Sequence, residues 1–426
     1  MNLLNYSVFI HKAVKIYYNV SCKRFTYRFI EQNKSVFFLE KKALTNKYNH
    51  EGANSMSTTK GLEGIVAAES KISSIIDDTL TYVGYNIDDL TNNASFEEII
   101  YLLWHTRLPK ADELAELKQQ LADNMEIPTA IIDLYKSMPL NTVHPMAALR
   151  TAVSMLGAFD EEADVMDPEA NYRKAIRLQA KIATVVTAFS RIRKGLEPIA
   201  PKPELGYAAN FLYMLSGQEP EAIAIEAFDK ALILHADHEL NASTITARVC
   251  VATLSDVYSG VTAAIGALKG PLHGGANEQV MKMLSEIGSI DNVETWVQNK
   301  LDNKEKIMGF GHRVYRGGDP RAPHLREMSK KLTALTGKPE LYDMSVKIHD
   351  MIVEQKKLPA NVDFFSASVY DSLGIEHDLF TPIFAVSRTS GWVAHILEQY
   401  ANNRLIRPRA EYVGPGMQKY IPINER

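Results

Sequence analysis

The sequence predicts an all-α protein, and three observations carry that expectation. After Gly61 the chain opens on a capped segment with apolar residues on one side. Stretches rich in Ala, Leu, Glu and Lys then recur with helical spacing. Convincing alternating strands are scarce along the same residues.

In chain order, Asn93-Ala94-Ser95-Phe96-Glu97-Glu98 fits a capping box, with Ser95 as N-cap and Glu98 three residues on. Phe96, Ile99, Ile100 and Leu103 then give the one-sided spacing of a helix, and Pro109 closes it. Residues 112–124, 146–156, 171–193 and 221–234 repeat the theme. Residues 242–268 are dense in Ala, Ser, Thr and Gly, which lets helices approach closely and predicts a buried or interface region. Gly270-Pro271 ends it. Gly309–Arg321, with five Gly or Pro residues and three arginines, reads as a loop, and Lys356–Pro359 as a linker. No internal repeat is present.

The chain has 426 residues, 46% hydrophobic and 23% charged, which excludes collagen-like, low-complexity and strongly disordered classes. A net charge of −4 gives the whole chain no electrostatic footprint for nucleic acid. Two cysteines, Cys22 and Cys250, cannot build a disulfide scaffold or a four-cysteine zinc site, and suit a reducing compartment. The most apolar long stretch, residues 244–268, is broken by Arg248 and Asp256, so no spanning helix is expected.

Residues 1–55 differ in character. They hold nine Lys or Arg against three Glu, ten Phe or Tyr, and no Pro. A basic presequence and a basic arm for membrane or nucleic acid are two readings. The favoured expectation is an N-terminal extension, disordered or translated from upstream of a true start at Met56. Lys12 and Lys15 interrupt the apolar run a signal peptide needs.

Several segments could carry chemistry. HADHE places His235 and His238 three residues apart, on one face if helical. Metal ligation, a substrate-binding histidine and a hydrogen-bonded helix end all fit, though the H-E-x-x-H pattern is absent. PLHGGAN puts His273 before two glycines and a helix start, which suits an anion or oxyanion but also an ordinary entry loop. GFGHRVYRGGDPR is neither a dinucleotide fingerprint nor a P-loop. Its His312, Arg313, Arg316 and Arg321 suit phosphates and carboxylates. In NVDFF, Asp363 either caps the following helix or is a desolvated base, with Asp371 its local competitor. Arg388, Arg404, Arg407 and Arg409 are surface charges or ligands for a small polyanion. Together these residues suggest acid–base chemistry on a small carboxylate. The rivals are a metal hydrolase built on HADHE and a non-catalytic helical protein with a basic arm.

HADHE, GPLHGGAN, GFGHRVYRGGDPR and NVDFF, in this order, resemble citrate synthase. FEEIIYLLWHTRLP and RPRAEY extend the likeness across nearly all of residues 60–420. The resemblance is to the short bacterial and archaeal form. It implies an all-helical fold with a large domain and a smaller mobile domain. The large domain would span 56–273 and 376–426, and the small one 274–375.

The resemblance also implies condensation of acetyl-CoA with oxaloacetate, then hydrolysis of citryl-CoA to citrate and CoA. Asp363 matches the base, His273 the donor to the thioester oxygen, and His312 the donor to the oxaloacetate carbonyl. His238, Arg321, Arg388 and Arg407 match the oxaloacetate ligands, with Arg407 reaching in from the other subunit of a homodimer. Arg316 matches a CoA contact. No metal or redox cofactor, no nucleic acid, no membrane and a cytoplasmic location are the further expectations. 2-Methylcitrate synthases, which use propionyl-CoA, share these residues and are the alternative.

Overall fold

Between Ser73 and Asn86 the backbone reverses twice, and a small sheet forms that the sequence reading did not anticipate. The computed structural model describes residues 60–426 apart from Glu63 and Arg313. The expectation for residues 1–55 lies outside them. Strands β1 (Ser73–Ile76), β2 (Thr79–Tyr82) and β3 (Tyr85–Asn86) pair antiparallel in that order. Both reversals use two residues of positive φ, Asp77-Asp78 and Val83-Gly84, as tight hairpin turns require. Neither pair is a strong hairpin signal, and the strands are four residues or shorter. Only Leu80 and Tyr82 of β2 reveal the alternation, by burying their side chains.

Helices then dominate, as the sequence predicts. The first six are α1 (Ile87–Asn93), α2 (Phe96–His105), α3 (Ala111–Asp123), α4 (Thr129–Ser137), α5 (Pro145–Ala158) and α6 (Pro168–Arg193). Next come α7 (Tyr207–Ser216), α8 (Ala222–His235), α9 (Ala242–Val251), α10 (Val257–Leu268) and α11 (Ala276–Ile287). The last are α12 (Val293–Asp302), α13 (Ala322–Leu335), α14 (Pro339–Lys356), α15 (Val362–Ser372) and α16 (Phe380–Ala401). The capping box at α2 forms as expected, with Ser95 and Glu98 each bonding the other's backbone. Residues 242–268 are two helices. Asp256 caps the second by accepting the Ser259 N–H at 2.9 Å.

α16 is the axis of the core. It packs against α2, α6, α8, α9 and α10, and its residues from Phe380 to Ile396 are all buried. Each fully buried large apolar side chain contributes about 1.5–3 kcal/mol. Phe380, Ile383, Val386, Trp392 and Ile396 therefore hold this helix, and the arginine it carries at position 388, in one place. A second group of helices, α11 to α15, packs largely on itself, with α13 and α11 against α15 and α12 against α14. No helix among the described residues is long and apolar enough to cross a membrane.

Candidate active site

The HADHE segment does not continue its helix. α8 ends at His235, and His238 lies in the turn beyond, so the two histidines share no helical face. The small sheet explains the departure. The Tyr82 hydroxyl sits 3.0 and 3.1 Å from the carbonyl oxygens of Ile233 and Asp237 and accepts the Asp237 N–H. Ser73 Oγ accepts the Glu239 N–H, and Glu239 accepts the Ile75 N–H. Sheet contacts thus replace the helical bonds that would otherwise continue.

His235 is fully buried and donates Nδ1–H to the Ala231 carbonyl at 2.7 Å, which leaves Nε2 as an unpartnered acceptor. Burial pushes its pKa down to about 3. His238 bonds the Tyr315 hydroxyl through Nε2 at 2.9 Å, and its ring lies 5.1 Å from that of His312. Burial, then the charges of Arg321 and Arg388, hold His238 well below the usual histidine range.

Two further histidines are fixed in opposite tautomers. His312 Nδ1 accepts the N–H groups of Val314 and Tyr315 at 3.1 and 3.3 Å, so a neutral ring carries its proton on Nε2. His273 Nε2 accepts the Ser243 N–H at 3.3 Å and lies 2.8 Å from Ser243 Oγ, so its proton sits on Nδ1. Burial lowers both pKa values, that of His273 to about 4. Each ring is thereby a neutral donor with one N–H left to offer. Trp392 Nε1, from α16, braces Ser243 Oγ at 3.1 Å.

The glycine–arginine segment is the loop that the sequence predicts. Arg321 is gripped by both oxygens of Asp319 at 2.8 Å, and Asp319 also accepts the Val362 N–H at 2.9 Å. Burial opposes the Arg321 charge, but Asp319 more than offsets this. The loop is stitched to the start of α15 by Asn361 N–H to the Gly309 carbonyl and Asn361 Nδ2–H to the Gly311 carbonyl.

Asn361, and not Asp363, caps α15, because its side chain accepts the Asp363 N–H at 3.1 Å. The capping reading of Asp363 is thereby corrected. Asp363 is half-buried, and its Oδ1 is closed off from solvent without a partner. Burial pushes the pKa up to about 7, with Arg321 opposing, Asp319 adding and Arg388 opposing. A carboxyl in that state is a base poised near neutrality. Asp371 is already engaged, by His377 at 3.0 Å and Lys338 at 2.9 Å, at the far end of α15.

Arg388 donates Nε–H to the His235 carbonyl at 2.6 Å and stacks over Phe384. Only 1% of it is exposed, and burial lowers its pKa to about 10. No carboxylate pairs with it among the described residues, which suits it to an incoming anion. Arg407 lies exposed on the irregular stretch after α16, and no hydrogen bond or ion pair among the described residues ties it to this pocket. Arg316 is exposed too, with its backbone N–H donated to Asp78 at 2.9 Å.

Sequence reasoning missed Tyr82, Ser243, Tyr315, Asp319 and Trp392. Most of their bonds join segments distant in sequence, although Asp319 also grips Arg321 two residues on. Tyr315 and Asp319 lie inside the glycine–arginine motif, which is the signal that could have found them. No group of three His, Cys, Asp or Glu among the described residues is arranged to hold a metal ion.

A helical protein that gathers neutral histidine donors, buried arginines and one desolvated carboxylate is an enzyme for acid–base chemistry on a small anionic substrate. The family model described as citrate synthase, C-terminal domain, matches residues 61–409. Citrate synthase 2 of Bacillus subtilis is 71% identical over 371 residues, covering 87% of this chain and all of that protein. The citrate synthase of Thermoplasma acidophilum, solved as a ternary complex with carboxymethyl coenzyme A and oxaloacetate, superposes with a TM-score of 0.82 at 35% identity, covering 86% of this chain and 99% of that one. A 2-methylcitrate synthase of Corynebacterium glutamicum is 42% identical, covering 88% and 99%. The chain belongs to the citrate synthase family.

Proposed function

We propose that the chain joins acetyl-CoA to oxaloacetate and hydrolyses the resulting thioester, releasing citrate and CoA. The observation that carries this reading is the meeting of half-buried Asp363 and His312 with buried His238, Arg321 and Arg388, each with a protonation state that suits its part. Asp363 takes a proton from the acetyl methyl group. That methyl is a far weaker acid than any carboxyl, so the enolate must be stabilised as it forms. His273 donates Nδ1–H to the thioester oxygen. His312 donates Nε2–H to the oxaloacetate carbonyl as it becomes an alkoxide. His238, Arg321 and Arg388 hold the substrate carboxylates, each charged hydrogen bond contributing roughly 1.5–3 kcal/mol.

Residues 274–375 form the smaller domain that closes over substrate, a division supported by the mutual packing of α11 to α15. The working unit is a cytoplasmic homodimer in which Arg407 completes the partner's site, and Arg316 meets CoA phosphate. The reaction so written needs no metal or redox cofactor.

Thiol release from acetyl-CoA and propionyl-CoA, each with and without oxaloacetate, tests the reading. Oxaloacetate-dependent release favouring acetyl-CoA supports it. A preference for propionyl-CoA moves the chain to 2-methylcitrate synthesis by the same chemistry, because one methylene is worth only about 1–3 kcal/mol of discrimination. No release with either overturns it.

A further inference from the structure

Of the two acidic residues of HADHE, Asp237 is the fully buried one, and the mechanism leaves it without a task. Its Oδ2 accepts a hydrogen bond from Ser73 Oγ and lies 3.2 Å from His395 Nε2, while Oδ1 has no partner. The other nitrogen of His395, Nδ1, lies 3.1 Å from Arg248 Nη1. A guanidinium offers only N–H donors, so Nδ1 must present its lone pair. The ring's proton therefore sits on Nε2 and is donated to Asp237. Arg248 is itself committed, to Glu398 at 2.6 Å and to Gln399 at 3.1 Å. The chain of bonds has one self-consistent assignment of protons.

Arg388 stands seven residues before His395 on α16, two helical turns away on the same side. Asp237 is the leading negative charge that it feels, yet no ion pair joins them. A buried carboxylate free to turn toward a buried guanidinium would pair with it, and an incoming substrate would then have to break that pair. We propose that His395 is a positioning residue for oxaloacetate binding. Together with Ser73 it holds Asp237 turned away from Arg388, so that the guanidinium stays open to a substrate carboxylate. The proposal rests on the reading of Arg388 as a carboxylate-binding arginine.

His395→Leu tests it, with KM for oxaloacetate, KM for acetyl-CoA and kcat measured separately. Loss of the donor is expected to raise the oxaloacetate KM about tenfold or more, with the acetyl-CoA KM kept within about threefold. His395→Gln, whose amide can donate to Asp237 and accept from Arg248, is expected to recover most of the loss. An unchanged oxaloacetate KM in His395→Leu, an equal rise in both KM values, or no recovery with glutamine overturns the proposal. Where the leucine variant does not fold, Ser73→Ala removes the other donor. It must raise the oxaloacetate KM selectively, and no shift counts against the idea. Arg388→Gln is measured alongside. A normal oxaloacetate KM there removes the reading of Arg388 itself. A raised value there beside a normal one in His395→Leu removes only the role given to His395.

Discussion

Arg388 and Asp363 feel each other's charge inside one buried region, yet they form no ion pair. Burial works on both, pushing the carboxyl up to about 7 and the guanidinium down to about 10. Direct pairing would relieve both penalties. The scaffold prevents it by fixing Arg388 to the His235 carbonyl and Asp363 to the first turn of α15. In our reading a dianionic substrate supplies the charge that Arg388 lacks, while Asp363 stays free to act as the base.

Asp363→Asn separates these two consequences. General-base catalysis contributes about 10²–10⁴-fold, so kcat should fall by at least about a hundredfold while oxaloacetate binding is largely kept. Stability should move the other way. The folded pKa of Asp363 lies near 7, above the unfolded value near 3.9, so the native state holds its proton more tightly. Its contribution to stability is full below pH 4 and is lost as pH rises through 7. The asparagine variant should therefore be more stable than the parent at pH 8, by at most about 4 kcal/mol, and melt later there, with little gain at pH 4.5. Comparing variant with parent at each pH cancels other groups such as Asp229, also raised to about 7. A gain that is the same at both pH values would count against the raised carboxyl.

Gly391→Ala probes the packing under HADHE. A Cβ at position 391 would come within 2.4 Å of the Ala236 carbonyl oxygen and 2.5 Å of Asp237 Oδ1. The first is backbone and cannot swing aside, so the HADHE turn must shift. Overpacking of this kind destabilises by about 1–3 kcal/mol. Because the same turn carries His238, the oxaloacetate KM should rise along with the loss of thermal stability. An alanine variant with parental melting and parental KM would show that the turn is not held against α16.

The helical architecture and most of the pocket were legible because they are written locally. Ser95 and Glu98 sit three residues apart, and the glycine–arginine loop is contiguous. The misses share a cause. β1 to β3 are short, and their turns at Asp77-Asp78 and Val83-Gly84 carry no common hairpin pair. The end of α8 at His235 is set by Tyr82, about 150 residues earlier. Whether Asp363 caps or stays free depends on Asn361 and on burial, which spacing alone does not encode. The tautomers of His273 and His312 come from Ser243, Val314 and Tyr315, whose approach to the rings neither spacing nor resemblance encodes.

The small sheet also touches the glycine–arginine loop, and Asp78→Ala tests what that contact does. Asp78, in the β1–β2 turn, accepts the N–H groups of Arg316 and Gly317, at 2.9 and 2.6 Å. These bonds hold its carboxyl below the usual range. Gly317 has no side chain where an added Cβ would meet Asp78 Oδ2 at 2.8 Å. Losing the clasp should raise the acetyl-CoA KM by about threefold or more, since the loop carries Arg316, and leave melting within a few degrees because the bonds are exposed. An unchanged acetyl-CoA KM would make the contact incidental.

Arg407 gives the prediction that most directly tests whether two subunits share each site. It lies on the irregular stretch after α16, which exposes Leu405, Tyr412, Val413, Met417 and Tyr420. So many apolar side chains on one exposed strand of chain need a surface to cover them, and a second copy is the partner that symmetry favours. If Arg407 enters the partner's pocket, Arg407→Ala and Arg321→Ala should each be nearly inactive alone. Their mixed dimer holds one site with both arginines intact and one with neither. Random exchange makes about half the dimers mixed, so the mixture should recover about a quarter of the parental activity. Exchange is verified by native mass spectrometry of size-tagged chains. Proven exchange with no recovery, or a fully active Arg407→Ala protein, would return Arg407 to the surface and leave the pocket to a single chain.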